Sequence, residues 1–155
     1  MADVRVREAA SADLDALMRL YEQLIGPLDE PVPEPLPDAR QAIGQIIADP
    51  ARSLLVAELD GEVVGTVDLL IAPNLTHYAQ PWALVENVVV AEHARRCGAG
   101  RALMLRAIEL AHEALCYKVN LISGNERNGA HDFYRSLGFA ATGQGFKTYL
   151  FERDA

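Results

Sequence analysis

The sequence predicts a mixed α/β (α+β) domain, in which a central sheet of about seven strands is flanked by about four helices. Three observations predict it. Residues 53–59 and 62–71 are apolar, β-branched runs joined by Asp60-Gly61, a pair typical of tight hairpin turns. A third such run covers 83–90. A glycine-containing turn and an amphipathic segment at 99–115 follow it, which indicates a strand leading directly into a helix.

The remaining elements follow from local patterns along the chain. Ser11 suits a helix N-cap, and apolar residues recur at helical spacing from there to Gly26. Five prolines between residues 26 and 38 exclude a regular helix and predict an extended acidic loop. Gly138 is placed to close the last helix. We predict the other strands at 3–8, 117–123, 139–142 and 145–152, and the other helices at 38–48 and 127–137.

Length and composition fit one globular domain, residues 1–155, with half of the residues hydrophobic and 23% charged. The net charge of −8 argues against nucleic acid as a partner, because phosphate binding needs clustered Lys and Arg. We see no apolar run typical of a signal peptide or a membrane span. Cys97 and Cys116 lack the spacing of a disulfide framework or a metal site. We therefore expect two reduced thiols in a cytoplasmic protein without a metal.

A loop rich in arginine and glycine joins the strand at 83–90 to the next helix. It reads Arg95-Arg96-Cys97-Gly98-Ala99-Gly100-Arg101 and comes soon after Val88-Val89-Val90. The first N–H groups of a helix are free and carry about half a positive charge, so this turn can bind an anion. Leu103 breaks the G-x-G-x-x-G fingerprint, and no Gly-Lys-Ser/Thr follows as in a P-loop. The alternative is that both glycines only turn the chain and the arginines are solvated.

Two motifs in this region resemble those of the GNAT N-acetyltransferase superfamily. Arg95-x-x-Gly98-x-Gly100 looks like its acyl-CoA loop, and Phe133-Tyr134-x-x-x-Gly138-Phe139 looks like its next motif. The resemblance spans roughly 53–150, and Trp82 to Phe139 looks most like the small-amine branch. Two positions depart from the pattern. Arg96 stands where the family often has glycine, and Arg127 stands where many members have an asparagine that contacts CoA.

The resemblance implies transfer of an acetyl group from acetyl-CoA, as cosubstrate, to a primary amine of a small metabolite. It implies direct attack in a ternary complex, without an acyl-enzyme. It further implies that the backbone of Val88, Val89 and Val90 holds the thioester, that residues 95–101 hold the pyrophosphate, and that Asn125 or Asn128 replaces the missing asparagine. Two alternatives stay open: a peptide or protein N-terminus as acceptor, and a module that binds acyl-CoA without turnover.

Two residues are candidates for proton transfer. The resemblance implies that Tyr134 donates a proton to the departing CoA thiolate. A phenol keeps its proton at neutral pH, and the alternative is a core aromatic beside Phe139. Glu86 is our candidate base, since strand alternation sets it on the same face as Leu84, Val88 and Val90. Burial on this face would favour the protonated form of the carboxylate. An ion pair or hydrogen bond of Glu86 across the sheet or a subunit interface is an equal alternative.

Three further expectations concern the surroundings of the site. Asp68, on the preceding strand, is a second candidate for the base, with the same alternative of an ion pair or hydrogen bond. His77 and Tyr78 could line the acceptor site, although a loop histidine is more often solvated. Finally, the apolar hairpin predicted at the end of the chain offers an edge for pairing, which predicts a homodimer.

Overall fold

The computed structural model of the protein describes residues 3–27 and 37–150. Most of the proline-rich loop predicted at 26–38 therefore lies outside the described residues. The described part contains two 3-10 turns, Ser11–Asp13 and Glu92–Ala94. Its strands are β1 (Val4–Glu8), β2 (Arg52–Leu59), β3 (Glu62–Ala72), β4 (Trp82–Val90) and β5 (Val119–Leu121), and its helices are α1 (Leu14–Ile25), α2 (Ala39–Ala48), α3 (Thr76–Ala79), α4 (Ala99–Glu113) and α5 (Asn128–Ser136). The helices and strands predicted for these segments are confirmed, and the single-turn α3 was not predicted. The N-cap prediction for Ser11 is wrong, because Ser11 lies in the first 3-10 turn and the N-cap of α1 is Asp13.

The strands form one sheet in the order β1-β2-β3-β4-β5, with the first four antiparallel and β4 parallel to β5. The predicted hairpin turn joins β2 to β3. Asp60 and Gly61 both have positive φ, 51° and 82°, as a two-residue type I′ turn requires. Gly138 also has the positive φ, 91°, expected of a residue that closes a helix.

Helices cover both faces of this sheet. Gly65 of β3 faces Leu103 of α4, whereas the next residue, Thr66, interacts with Tyr21 of α1 on the opposite face. Residues 64–69 of β3 are all buried as a result, because each side chain meets a helical layer. The main apolar core lies between α4 and the sheet, and a smaller one lies under α1 and α2.

The strand prediction fails at the end of the chain. The described sheet has five strands instead of about seven, and residues 139–150 contain neither strand nor helix. Phe139 packs against the core, but Phe146 and Leu150 are each 88% exposed. Alternation in sequence predicted strands here, but β5 is only three residues long and pairs with β4 alone, so these residues have no strand partner in the described fold.

No helix among the described residues is long and apolar enough to cross a membrane.

Candidate active site

β4 separates from β5 halfway along its length. The parallel pairing ends at Val85, opposite Leu121, whereas the pairing with β3 continues to Val90, opposite Gly65. Within the described sheet, residues 86–90 therefore lack a strand neighbour on one side. Backbone N–H and C=O groups along such an edge can pair with an extended ligand as with an added strand. This gap is the place where the resemblance puts Val88, Val89 and Val90 against a thioester.

A β-bulge lies at the beginning of the gap. Between the Asp68–Glu86 and Thr66–Val89 pairs, β4 has one residue more than β3, and Asn87 has a φ of 52°. Asparagine is one of the few non-glycine residues that readily adopt the left-handed region, and β-bulges are common next to active sites. The extra residue also changes which side chains share a face, because Glu86 pairs with Asp68 and Val90 pairs with Gly65 on the opposite face.

The bulge corrects the prediction for Glu86. This carboxylate does not share a face with Val88 and Val90, and it is exposed, so the expected burial is wrong. Its cross-strand neighbour Asp68 is the buried acid of the pair, and Asp68 forms an ion pair with Arg52. Asp68 therefore has the structural role that we considered for it. The position of Glu86 at the gap leaves its role as a base a prediction.

The arginine–glycine loop leads directly from the gap into α4. Arg96 and Gly98 have positive φ, 65° and 90°, and Gly98 is the N-cap of α4 with no side chain bound to the first turn. Alternating left-handed residues turn consecutive N–H groups toward one concave side, which suits an anion. Arg95, Arg96 and Arg101 are exposed, and within residues 3–27 and 37–150 none of them forms a salt bridge. Positive charge is therefore concentrated at this helix start in a protein of net charge −8.

The two glycines of this loop have different roles. A Cβ on Gly98 would meet nothing within 4 Å, so Gly98 is required by its backbone angle and leaves open space in front of the helix. A Cβ on Gly100 would lie 3.4 Å from Val90 Cγ2 and 3.5 Å from Phe133 Cζ. Gly100 thus allows α4 to pack closely on β4 and α5, a packing role that the sequence did not indicate.

Tyr134 lies on α5 and belongs to the same core cluster as Val89 and Ala99. Its ring packs against Phe133 and Phe139, with centroid distances of 5.3 and 6.0 Å. The ring therefore has the packing of a core aromatic. Burial raises the pKa of Tyr134, and the positive charge of Arg127 partly opposes this rise. Its hydroxyl keeps its proton at neutral pH and hydrogen-bonds to no group within the described part of the chain, so it can donate to a ligand.

Two hydrogen bonds to one carbonyl oxygen stabilise the turn between β5 and α5. The oxygen of Gly124 accepts hydrogen bonds from the Arg127 backbone N–H (3.1 Å) and from the His131 ring Nε2 (2.8 Å). Asn125 and Asn128 are exposed in this turn, and neither has a contact that assigns it to CoA. Nothing in the sequence indicated the hydrogen bond between His131 and Gly124.

Ser123 is a candidate site residue that the sequence analysis missed. Its hydroxyl oxygen is buried and has no hydrogen-bond partner among the described residues. Ser123 lies two residues after the end of β5, beyond the point where the pairing with β4 ends. Buried hydroxyls are normally satisfied, so an unpaired one at this position is a candidate ligand contact. Its only signal in the sequence is a polar residue at the end of an apolar strand.

Other candidate residues lie away from the gap or pack as ordinary residues. α3 is a left-handed turn, and its His77 ring stacks on Tyr117 at a centroid distance of 3.9 Å. His77 and the fully exposed Tyr78 lie before the N-terminal end of β4, whereas the gap is at its C-terminal end. Cys97 and Cys116 are free, half-buried thiols packed against the core, and burial raises the pKa of Cys116. The part of the chain that the structure describes has no group of three or more His, Cys, Asp or Glu residues that could hold a metal ion.

Comparison with known proteins agrees with this arrangement. The sequence matches the Acetyltransferase (GNAT) family over residues 15–139. It is 28% identical over 147 residues to a glucosamine 6-phosphate N-acetyltransferase of Trypanosoma brucei brucei, covering 91% of this chain and 92% of that protein. Two solved structures are similar throughout. One, from Agrobacterium tumefaciens str. C58, is assigned as an acetyltransferase (39% identity, TM-score 0.83, covering 94% of this chain and 99% of that one). The other is described as a transcriptional regulator from Bacillus halodurans C-125 (33% identity, TM-score 0.84, covering 96% and 100%).

The family match covers most of the chain, including the gap in β4, the loop before α4 and the tyrosine of α5. The protein therefore belongs to the GNAT acetyltransferase family and is an acetyl-CoA-dependent N-acetyltransferase.

Proposed function

We propose that this protein transfers an acetyl group from acetyl-CoA to a primary amine of a small metabolite, by direct attack in a ternary complex. The observation that carries the proposal is the continuity of two features. The free edge of β4 at 86–90 runs within five residues into an arginine-rich helix start. An extended chain that ends in a diphosphate, which is the chemistry of CoA, fits an edge followed by an anion cradle.

Each part of the cosubstrate has residues that suit it. Val88, Val89 and Val90 offer backbone groups to the pantetheine and the thioester. The free N–H groups at residues 99–101, together with Arg95, Arg96 and Arg101, suit the pyrophosphate. The bulge at Asn87 interrupts the regular pairing of β4 with β3, so that backbone groups beside it are available to a thioester oxygen.

The chemistry needs a proton donor and a proton acceptor. The amine nitrogen attacks the carbonyl carbon, and a negative charge develops on the carbonyl oxygen, where fixed N–H donors stabilise it. As the C–S bond breaks, Tyr134 donates its phenolic proton to the sulfur. The attacking nitrogen loses a proton to Glu86, through water. The exposure of Glu86 suits such a water-mediated path.

A small amine as acceptor is supported by the Trypanosoma brucei brucei relative, which acts on glucosamine 6-phosphate. The net charge of −8 also favours a cationic acceptor. The same charge disfavours DNA, so the description of the Bacillus halodurans protein as a transcriptional regulator does not carry over to this chain.

A thiol-release screen with acetyl-CoA tests the proposal. The panel contains amino sugars and their phosphates, polyamines, aminophosphonates and short peptides. We expect amine-dependent release of CoA with at least one small amine. Release with peptides alone would favour a protein N-terminus as acceptor. CoA binding without release for any acceptor would favour a binding module and contradict the proposal.

We also propose a homodimer, on a basis other than the hairpin predicted from sequence. Ile122, Phe146 and Leu150 are 64%, 88% and 88% exposed, and Gly145 lies against Ile122 beside the free outer edge of β5. Large exposed apolar side chains next to a free strand edge favour association. Light scattering at micromolar concentration should give the mass of two chains, and Phe146→Ser should shift it toward one. A monomeric wild type would contradict this proposal.

A further inference from the structure

One face of the sheet is only partly covered beside the beginning of the gap. Helices α1 and α2 pack on this face, where Leu54 of β2 and Thr66 of β3 are buried. Further along the same face, burial decreases. Arg52, Leu70 and Leu84 lie opposite one another in β2, β3 and β4, and all three are half-buried. The described residues therefore leave an apolar floor of two leucines, with an arginine at one side.

Charged side chains lie in the neighbouring row of this face. Asp68 accepts hydrogen bonds from Nε (3.3 Å) and Nη2 of Arg52, and it lies directly opposite Glu86 in β4. The Asp68 side chain is only 7% exposed, whereas that of Arg52 is 31% exposed. Glu86 is exposed and begins the gap. The buried acid therefore holds the guanidinium in place, and part of the guanidinium still faces solvent.

Arg52 and Glu86 both have groups that no protein partner uses. Nη1 of Arg52 has no hydrogen-bond partner within residues 3–27 and 37–150, and Glu86 forms neither a salt bridge nor a hydrogen bond there. A guanidinium has five N–H donors in one plane, so a carboxylate on one side leaves donors for a second anion. Side chains directly opposite in neighbouring strands are about 5 Å apart, so the guanidinium beside Asp68 lies roughly 5–10 Å from the Glu86 carboxylate.

This cation is separated from the arginine–glycine loop by the length of the gap. Glu86 begins the gap and Val90 ends it, which is a distance of roughly 10–13 Å along a strand. The loop follows Val90, whereas Arg52 lies near Glu86. The pyrophosphate and Arg52 therefore belong to opposite ends of the site.

We propose that Arg52 is a specificity-determining residue, which binds an anionic group, a phosphate or a carboxylate, on the acceptor. The inference rests on the proposed function, because it takes the attacking nitrogen to lie beside Glu86. The preferred acceptor is then a small primary amine that also carries an anion, with roughly 5–10 Å between the two groups. The floor formed by Leu70 and Leu84 suits the carbon skeleton that joins them.

Matched pairs of amines test this preference. Each pair keeps the amine and removes the anion: glucosamine 6-phosphate against glucosamine, and 4-aminobutanoate against 1-aminobutane. We expect thiol release from acetyl-CoA with at least one anionic member, at a kcat/KM about tenfold or more above that of its partner, as for one charge-assisted hydrogen bond. The preference should decrease as salt is added.

Variants of Arg52 and Asp68 show which residue causes the preference. Removing Arg52 alone would leave a buried carboxylate without its partner and cost stability. The test variant is therefore Arg52→Gln combined with Asp68→Asn, which removes both charges, and thermal melts check that it folds. Asp68→Asn alone keeps the cation. Arg106→Gln is the matched control, because Arg106 is also ion-paired but lies on α4.

We expect the double variant to reduce the preference about tenfold through the KM of the anionic amine, with KM for acetyl-CoA within about twofold of wild type. Asp68→Asn and Arg106→Gln should each keep the preference. Equal kcat/KM values within both pairs, a preference that survives in the folded double variant, or a loss confined to KM for acetyl-CoA would overturn the inference and leave acetyl transfer standing. Absence of thiol release with every amine would contradict the proposed function itself, so the two failures are distinguishable.

Discussion

Replacing Gly98 with aspartate puts a negative charge where we expect the pyrophosphate, and asparagine is a nearly isosteric, neutral control. Gly98 has a φ of 90°, and a Cβ there would meet nothing within 4 Å. Asp and Asn are the residues that best tolerate a left-handed backbone, so both variants should fold with a similar cost of about 1–2 kcal/mol. The difference in CoA affinity between the two variants therefore reports the effect of the negative charge alone.

The size of the effect follows from Coulomb's law. Two unit charges about 4 Å apart interact by about 1 kcal/mol in bulk water and about 4 kcal/mol near a protein surface. Gly98 is exposed, so we expect a value of about 1.5–3 kcal/mol, which is a ten- to hundredfold difference in Kd. Calorimetric titration with CoA should therefore show much weaker binding to Gly98→Asp than to Gly98→Asn, with a gap that narrows as salt is added. Equal Kd values for two folded variants would refute the anion site at this helix start.

Three other predictions concern stability and its relation to function. Arg96→Gly should raise the free energy of unfolding by about 1 kcal/mol, as measured in thermal melts, because glycine adopts the left-handed backbone more easily than arginine. The same change should weaken CoA binding severalfold in calorimetry. Unchanged affinity would contradict a role of Arg96 at the phosphate. Ser123→Ala removes a buried, unpaired hydroxyl, so Tm should stay or rise while kcat/KM falls, and a lower Tm with full activity would make the residue structural. Arg7 donates two hydrogen bonds to Asp13 and lowers its pKa below 3.8. This stabilisation is present above the pKa of Asp13 in the unfolded chain and is lost as the pH falls through its lower pKa in the folded protein. Asp13→Asn should therefore lower the free energy of unfolding by about 2 kcal/mol at pH 7, and by progressively less below about pH 4, in urea titrations. A cost independent of pH would contradict that assignment.

Local sequence patterns predicted most of the fold. Alternating apolar residues, Asp60-Gly61 and the helix-closing Gly138 depend on interactions within a few residues, and the structure has these elements where the patterns indicated. The last two strands fail for the opposite reason. A strand needs a neighbour to pair with, and residues 139–150 have the alternation of strands but no strand partner in the described sheet.

The site was predicted less completely than the fold, because its details depend on pairing between distant segments. Simple alternation set Glu86 beside Val90, and the single extra residue at Asn87 moves them to opposite faces. Nothing near Gly100 in sequence indicated that Val90 and Phe133 would both approach it. The arginine–glycine loop was predictable, since its chemistry lies in one contiguous segment that begins a helix.

Tyr134→Phe is the most direct test of the proposed acetyl transfer. The change removes one oxygen and keeps the ring contacts with Phe133 and Phe139. The hydroxyl has no hydrogen-bond partner within the described residues, so the free energy of unfolding should change by about 1 kcal/mol or less. Acetyl-CoA affinity should stay within a few-fold, because the loop at 95–101 and the edge of β4 are unaltered.

The turnover number decides whether Tyr134 is the proton donor. Loss of a general acid should lower kcat by roughly 10²-fold or more, measured as thiol release at saturating acetyl-CoA and amine. A folded Tyr134→Phe protein that binds acetyl-CoA and retains wild-type kcat would contradict the account, and would leave Tyr134 as a core aromatic.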